Sequence, residues 1–74
     1  MKQGVLWFDD SNLDFYEKIN QAVEYIQNKY HKAPRCCFVH PNMLSSQVKS
    51  EHGKIKVQAD SSVLPNHFWL EMIL

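Results

Sequence analysis

Apolar residues recur with helical period over residues 11–30. At roughly 100° per residue, Phe15, Tyr16, Ile19, Ala22, Val23, Ile26 and Tyr30 share one arc of roughly 120°. Asp14, Glu17, Lys18, Asn20, Gln21, Glu24, Gln27 and Asn28 fill the other side. The pattern predicts a helix with one dry face and one wet face. Ser11 is the expected N-cap, with Asp14 reaching back as a shortened capping box. Asp9, Asp10, Asp14 and Glu17 complement the positive end of the helix dipole, and Lys29, His31 and Lys32 the negative end. Pro34 is the expected stop, because it lacks a donor and biases Ala33 out of the α region. A rod of this length spans roughly 30 Å, enough to roof one face of a small sheet.

The remaining apolar runs are short and read as strands. Residues 4–8, Gly-Val-Leu-Trp-Phe, are a first strand or an apolar arm, ending at the turn signal Asp9-Asp10. In residues 35–40, alternation sets Cys36, Phe38 and His40 on one face and Cys37 and Val39 on the other, so both sides are apolar and the strand is interior. Pro41 opens a short helix over 41–48, with Met43, Leu44 and Val48 on one side, and residues 49–53 are a surface connection. Residues 54–59 alternate cleanly. Ile55, Val57 and Ala59 face inward, and the outward Lys54 and Lys56 are what an edge strand uses against stray pairing. Residues 60–66 form a loop in which Val63 and Leu64 fold back over the core. The last strand, 67–74, points Phe68, Leu70, Met72 and Leu74 one way and His67, Trp69, Glu71 and Ile73 the other, which belongs in the middle of a sheet.

Together these elements predict an α+β fold: a three- to four-stranded mixed sheet with one long amphipathic helix on one face, in the order β-α-β-short α-β-β. If the first strand joins the sheet, the strand-helix-strand order favours a parallel crossover. One helix covers one face only. The other face is expected to show Trp69, Ile73, Phe38 and Trp7, which form the expected interaction surface. Burying a few hundred Å² at about 25 cal/mol per Å² contributes several kcal/mol, comparable to the whole stability of so small a domain. A homodimer or a protein partner is therefore the expected cover.

At 74 residues the chain is expected to be one domain near the lower limit for a self-sufficient core. Its two cysteines, Cys36 and Cys37, are neighbours, so a bridge between them ties off no loop and no disulfide framework is expected. Such thiols suit a reducing compartment, residues 1–8 resemble no secretory signal, and no apolar run approaches the roughly 20 residues that cross a bilayer. A cytoplasmic protein without membrane attachment is expected. Eight basic and eight acidic residues cancel overall, yet six of the basic groups fall in residues 29–56 with only one acidic group. Lys29, Lys32, Arg35, Lys49, Lys54 and Lys56 form a candidate basic patch, with Tyr30 available for stacking. Weak nucleic-acid binding is the alternative function.

Catalytic signals are sparse. Cys37 and His40 have finger-like spacing but lie on opposite strand faces, and Cys36 and His40 share a face about 13 Å apart, so no metal site is expected. A cysteine nucleophile would need His40 or His67 as base and Asp60 as acid, and nothing in the sequence brings them together. Neither serine pair sits in a nucleophile elbow, and Gly4 and Gly53, the only glycines, make no phosphate loop. The repeated Pro-Asn steps, Pro41-Asn42 beside His40 and Pro65-Asn66 beside His67, read as turns rather than as a paired histidine site. No stretch resembles a family of known activity. The expectation is a non-enzymatic interaction module without a cofactor. A metal or thiol site built from Cys36, Cys37, His40 and His67 is the third reading.

Overall fold

The computed structural model describes residues 3–44 and 51–72. Five strands, β1 (Gly4–Phe8), β2 (Cys36–Val39), β3 (Glu51–His52), β4 (Ile55–Ala59) and β5 (His67–Glu71), form one mixed sheet in the order β1-β5-β2-β4-β3. One helix, α1 (Phe15–Tyr30), joins β1 to β2. β5 is antiparallel to both β1 and β2, and β2 is parallel to β4. The fold is α+β, and β1 and β2 run in the same direction with β5 inserted between them. The two strands with apolar residues on both sides, β2 and β5, are interior, as their patterns require.

Ile19, Ala22 and Ile26 of α1 are fully buried against Cys37 and Val39 of β2, Val57 of β4, and Phe68 and Leu70 of β5. Phe15 adds a tilted contact with Phe68 at 5.8 Å between ring centroids. The register places Cys37 beside Leu70 and Val57, and Val39 beside Phe68, so the dry side is continuous across the sheet.

Several expectations at the ends of elements are corrected. The helix starts at Phe15 rather than Ser11, and its N-cap Asp14 makes no side-chain cap. Local bonds intervene: the Ser11 amide donates to Asp9 Oδ1 at 2.9 Å, and the Ser11 hydroxyl accepts from the Leu13 amide at 3.3 Å. These turns satisfy the groups that a longer helix would have used. At the other end His31 adopts a left-handed conformation (φ 58°) and its amide donates to the Gln27 carbonyl at 2.9 Å, so α1 stops before Pro34 acts. Tyr30 is 46% exposed rather than core, whereas Lys18, assigned to the wet face, is 8% exposed.

The short helix reduces to one 3-10 turn, Pro41–Met43, with the rest of that span outside the described residues. Residues 51–52 are a short strand rather than connection, turning through Gly53 (φ 62°) into β4. Ala59 is exposed, and Val63 is buried while Leu64 points out at 64% exposure. No helix among the described residues is long and apolar enough to cross a membrane.

Candidate interaction surface

The sheet face opposite α1 is built by alternation alone. Leu6 and Phe8 of β1, His67, Trp69 and Glu71 of β5, Cys36 and Phe38 of β2, and Lys56 and Gln58 of β4 all fall on it. Leu6 pairs across the ladder with Trp69, Trp69 with Phe38, and Phe8 with His67. The result is an apolar row running straight across three strands, extended by Phe8 on β1, with Glu71 and Lys56 in the neighbouring row. Leu6 and Phe8 are each 57% exposed, and the Phe8 ring leans on His67 at 4.9 Å. Part of the stripe is roofed by the 60–66 loop, where Leu6, Ser62, Val63, Leu64, His67 and Trp69 line a cavity of about 270 Å³. A larger cavity of about 520 Å³ opens where Gly4, Val5, Tyr30, Lys32, Trp69 and Met72 meet. Trp69 lines both.

The residues expected to form this surface divide. Phe38 and Trp69 lie on the open face. Trp7 does not: it shares the helix side of β1 with Val5 and packs against Tyr25, ring centroids 5.2 Å apart. Ile73 lies outside the described residues. Leu6 and Phe8, which sequence reading missed, take the place of Trp7. The strand alternation held the signal, because giving Trp7 to the helix leaves Leu6 and Phe8 to the opposite side.

Of the basic group, Lys32 and Arg35 stand where α1 leads into β2, and the Lys56 amide donates to the Arg35 carbonyl at 3.0 Å at the start of parallel β4. Lys54, Lys56, Arg35 and Lys32 therefore gather toward one end of the sheet. Lys29 is engaged with the tyrosines, its Nζ donating to the Tyr25 hydroxyl at 3.2 Å and lying 5.5 Å from the Tyr30 ring. Lys49 lies outside the described residues.

The cysteines and histidines are not brought together as a reaction centre. Among the described residues no group of three or more His, Cys, Asp and Glu side chains could hold a metal. Cys37 faces the core, where burial, reinforced by neighbouring Cys36, pushes its thiol up to about 12. It is a packing residue and a poor nucleophile at neutral pH. His40 Nδ1 accepts from the Asn42 amide at 3.0 Å, and His67 Nδ1 donates to the Pro65 carbonyl at 2.8 Å. Both rings thus brace their own Pro-Asn turns, His40 through an accepting Nδ1 and His67 through a donating one.

No family model, curated protein or solved structure matches the chain. The open face must be interpreted from its own chemistry.

Proposed function

We propose that this protein is a non-enzymatic interaction module acting through the sheet face opposite α1, self-association being the simplest form. The observation that carries the reading is the stripe Leu6, Phe8, Trp69 and Phe38, in which Leu6 and Phe8 are more than half exposed on a sheet whose other side is roofed by α1. Covering the two exposed side chains contributes about 1–2 kcal/mol each, a large share of what a domain this small holds in reserve. Clusters of exposed aromatic and aliphatic groups rimmed by polar residues mark association surfaces.

Sedimentation velocity from micromolar to millimolar concentration tests this, with Leu6→Ser and Phe8→Ser as surface variants. Wild-type chain that associates, and variants that associate less while keeping the far-UV spectrum, are expected. A strict monomer throughout that range removes the reading for self-association.

A second reading is supported by the gathering of Lys32, Arg35, Lys54 and Lys56 at one end of the sheet: weak binding to a nucleic-acid backbone. It predicts retention on a polyanion column at low salt that collapses by physiological salt. No retention at low salt ends it.

A further inference from the structure

The open face leads to an open edge. β1 is the outermost strand on its side of the sheet, and among the described residues no strand lies against its far edge. In the β1–β5 ladder the Met72 amide donates to the Gln3 carbonyl at 2.9 Å, and the Asp9 amide to the Asn66 carbonyl at 3.0 Å. Antiparallel pairs alternate, so Gln3, Val5, Trp7 and Asp9 direct their amides and carbonyls inward to β5. Gly4, Leu6 and Phe8 direct theirs outward. Leu6 and Phe8 are also the β1 residues whose side chains fall on the open face.

Edge strands are ordinarily guarded by charge, proline or brevity. The opposite edge of this sheet follows that rule: β3 is two residues long, Lys54 sits in its turn to β4, and Lys56 pairs with Glu51. β1 has none of these guards, since Gly4-Val5-Leu6-Trp7-Phe8 carries no charge and no proline.

We propose that two copies of this chain pair through β1, antiparallel and in register about Leu6, to make one sheet continuous across a two-fold axis. The proposal rests on the interaction-module reading, with a second copy of the chain as the partner. The occupant follows from self-complementarity: with Leu6 opposite Leu6 of the second copy, Gly4 falls opposite Phe8 and Phe8 opposite Gly4. All three outward-facing residues then form hydrogen-bonded pairs, about six main-chain bonds in all. The side chains agree with that register. Gly4 lets the Trp69 indole lie over β1, its ring atoms within 2.9 Å of where a Cβ would be. Phe8 of the second copy would sit across from this glycine, where its ring can pack against the edge of that indole. Two copies of Leu6 would meet at the axis, so four strongly exposed apolar side chains would be covered at once. A contact confined to five-residue edges lies below the roughly 1,200 Å² of a standard interface, so the dimer is concentration-dependent.

Three variants test this in the full chain. Leu6→Pro removes an outward amide that no ladder bond uses, a site where an edge strand tolerates proline. It is expected to keep the circular dichroism of the wild type and to weaken dimerisation by about tenfold or more. Leu6→Cys with Cys36→Ser sets two thiols across the axis at about 5.5 Å between Cα atoms, within disulfide reach, and is expected to cross-link under mild oxidation. Phe8→Cys in the same background sets its thiols on different ladder rungs and is expected not to. A dimer that persists in Leu6→Pro, fails to cross-link through Leu6→Cys and breaks in Phe38→Ser overturns edge pairing and leaves face-to-face docking. A monomer at every concentration overturns both. Cross-linking through Phe8→Cys but not Leu6→Cys overturns the register.

Discussion

Gly4 lies directly beneath the indole of Trp69. A Cβ built on Gly4 would fall 2.6 Å from the Leu70 carbonyl oxygen and 2.8 Å from the Trp69 ring. Here the absent side chain makes space for a neighbour, which is a packing role rather than a turn role. Gly4→Ala must push the indole off β1 or bend the strand away from β5, and about 1–3 kcal/mol of destabilisation is expected. Gly53→Ala is the contrast: nothing lies within 4 Å of its Cβ position, but φ is +62°. Its cost is conformational, about 1 kcal/mol. Urea midpoints at constant slope measure both, and Gly4→Ala should also shift the tryptophan emission while Gly53→Ala should not.

The two neighbouring thiols differ in reactivity because they face opposite sides of β2. Cys36 is half-buried on the open face and Cys37 is fully buried in the core. A thiol reagent added to native protein is expected to modify Cys36 alone, with Cys37 reacting only after denaturant is added. The raised Cys37 value also sets a limit at alkaline pH. From about 9.0 upward the unfolded chain ionises this thiol while the folded chain, held to about 12, does not. Within that window stability falls as pH rises, by about 1.4 kcal/mol per unit at most. Cys37→Ala should remove this slope, and equal modification of both thiols in native protein would contradict the placement of β2.

Much of this architecture was legible because it rests on periodicity. The seven-residue apolar arc located α1, and the two-sided apolar pattern of Cys36–Val39 and His67–Glu71 put both strands inside the sheet. Local competition was not legible. Ser11 has the chemistry of a cap, but Asp9 two residues earlier captures its amide, and only coordinates show which bond wins. The face of Trp7 is not legible locally, because it depends on whether β1 lies beside β5, a pairing between the two ends of the described chain that no local pattern encodes. Of the surface, Trp69 and Phe38 were readable from alternation, whereas Leu6 and Phe8 became visible only once the helix side of β1 was fixed.

Two aspartates set an acid dependence. Asp60 Oδ1 accepts from the Ser62 hydroxyl at 2.6 Å and amide at 2.9 Å, and Asp9 Oδ1 accepts from the Ser11 amide at 2.9 Å. Hydrogen bonding from the Ser62 side chain and amide, and from those of Ser11, holds both carboxyls below their ordinary value of 3.8. A depressed folded value stabilises the fold above the unfolded value and ceases to do so as pH falls through the folded one. Asp60→Asn and Asp9→Asn are therefore expected to lower the thermal midpoint at neutral pH, and the difference from wild type should shrink as pH drops below 3.8. Thermal melts between neutral pH and strongly acidic buffer check this, and a difference that stays constant across the range would show that these turns do not depend on ionised carboxylates.

His52 ties the β3–β4 hairpin to the helix. The His52 ring stacks on Tyr16 at 4.7 Å between centroids with 26° between planes, and its Nε2 donates to Asn20 Oδ1 at 2.7 Å. With only two residues in β3, the ladder itself supplies little, so this contact should decide whether the hairpin stays closed. The hydrogen bond is expected to contribute about 0.5–1.5 kcal/mol and the ring contact a similar amount. His52→Phe keeps the ring and loses the bond, His52→Ala loses both, and a double-mutant cycle with Asn20→Ala isolates the bond. Because β4 is also held by β2, loss of the contact should open the hairpin without unfolding the core. Amide exchange should then quicken at His52 and Ile55 while the Cys37 and Leu70 amides stay protected. If His52→Ala instead loosens Cys37 and Leu70 to the same degree, hairpin and core open as one cooperative unit and His52 is part of what holds the whole sheet to α1.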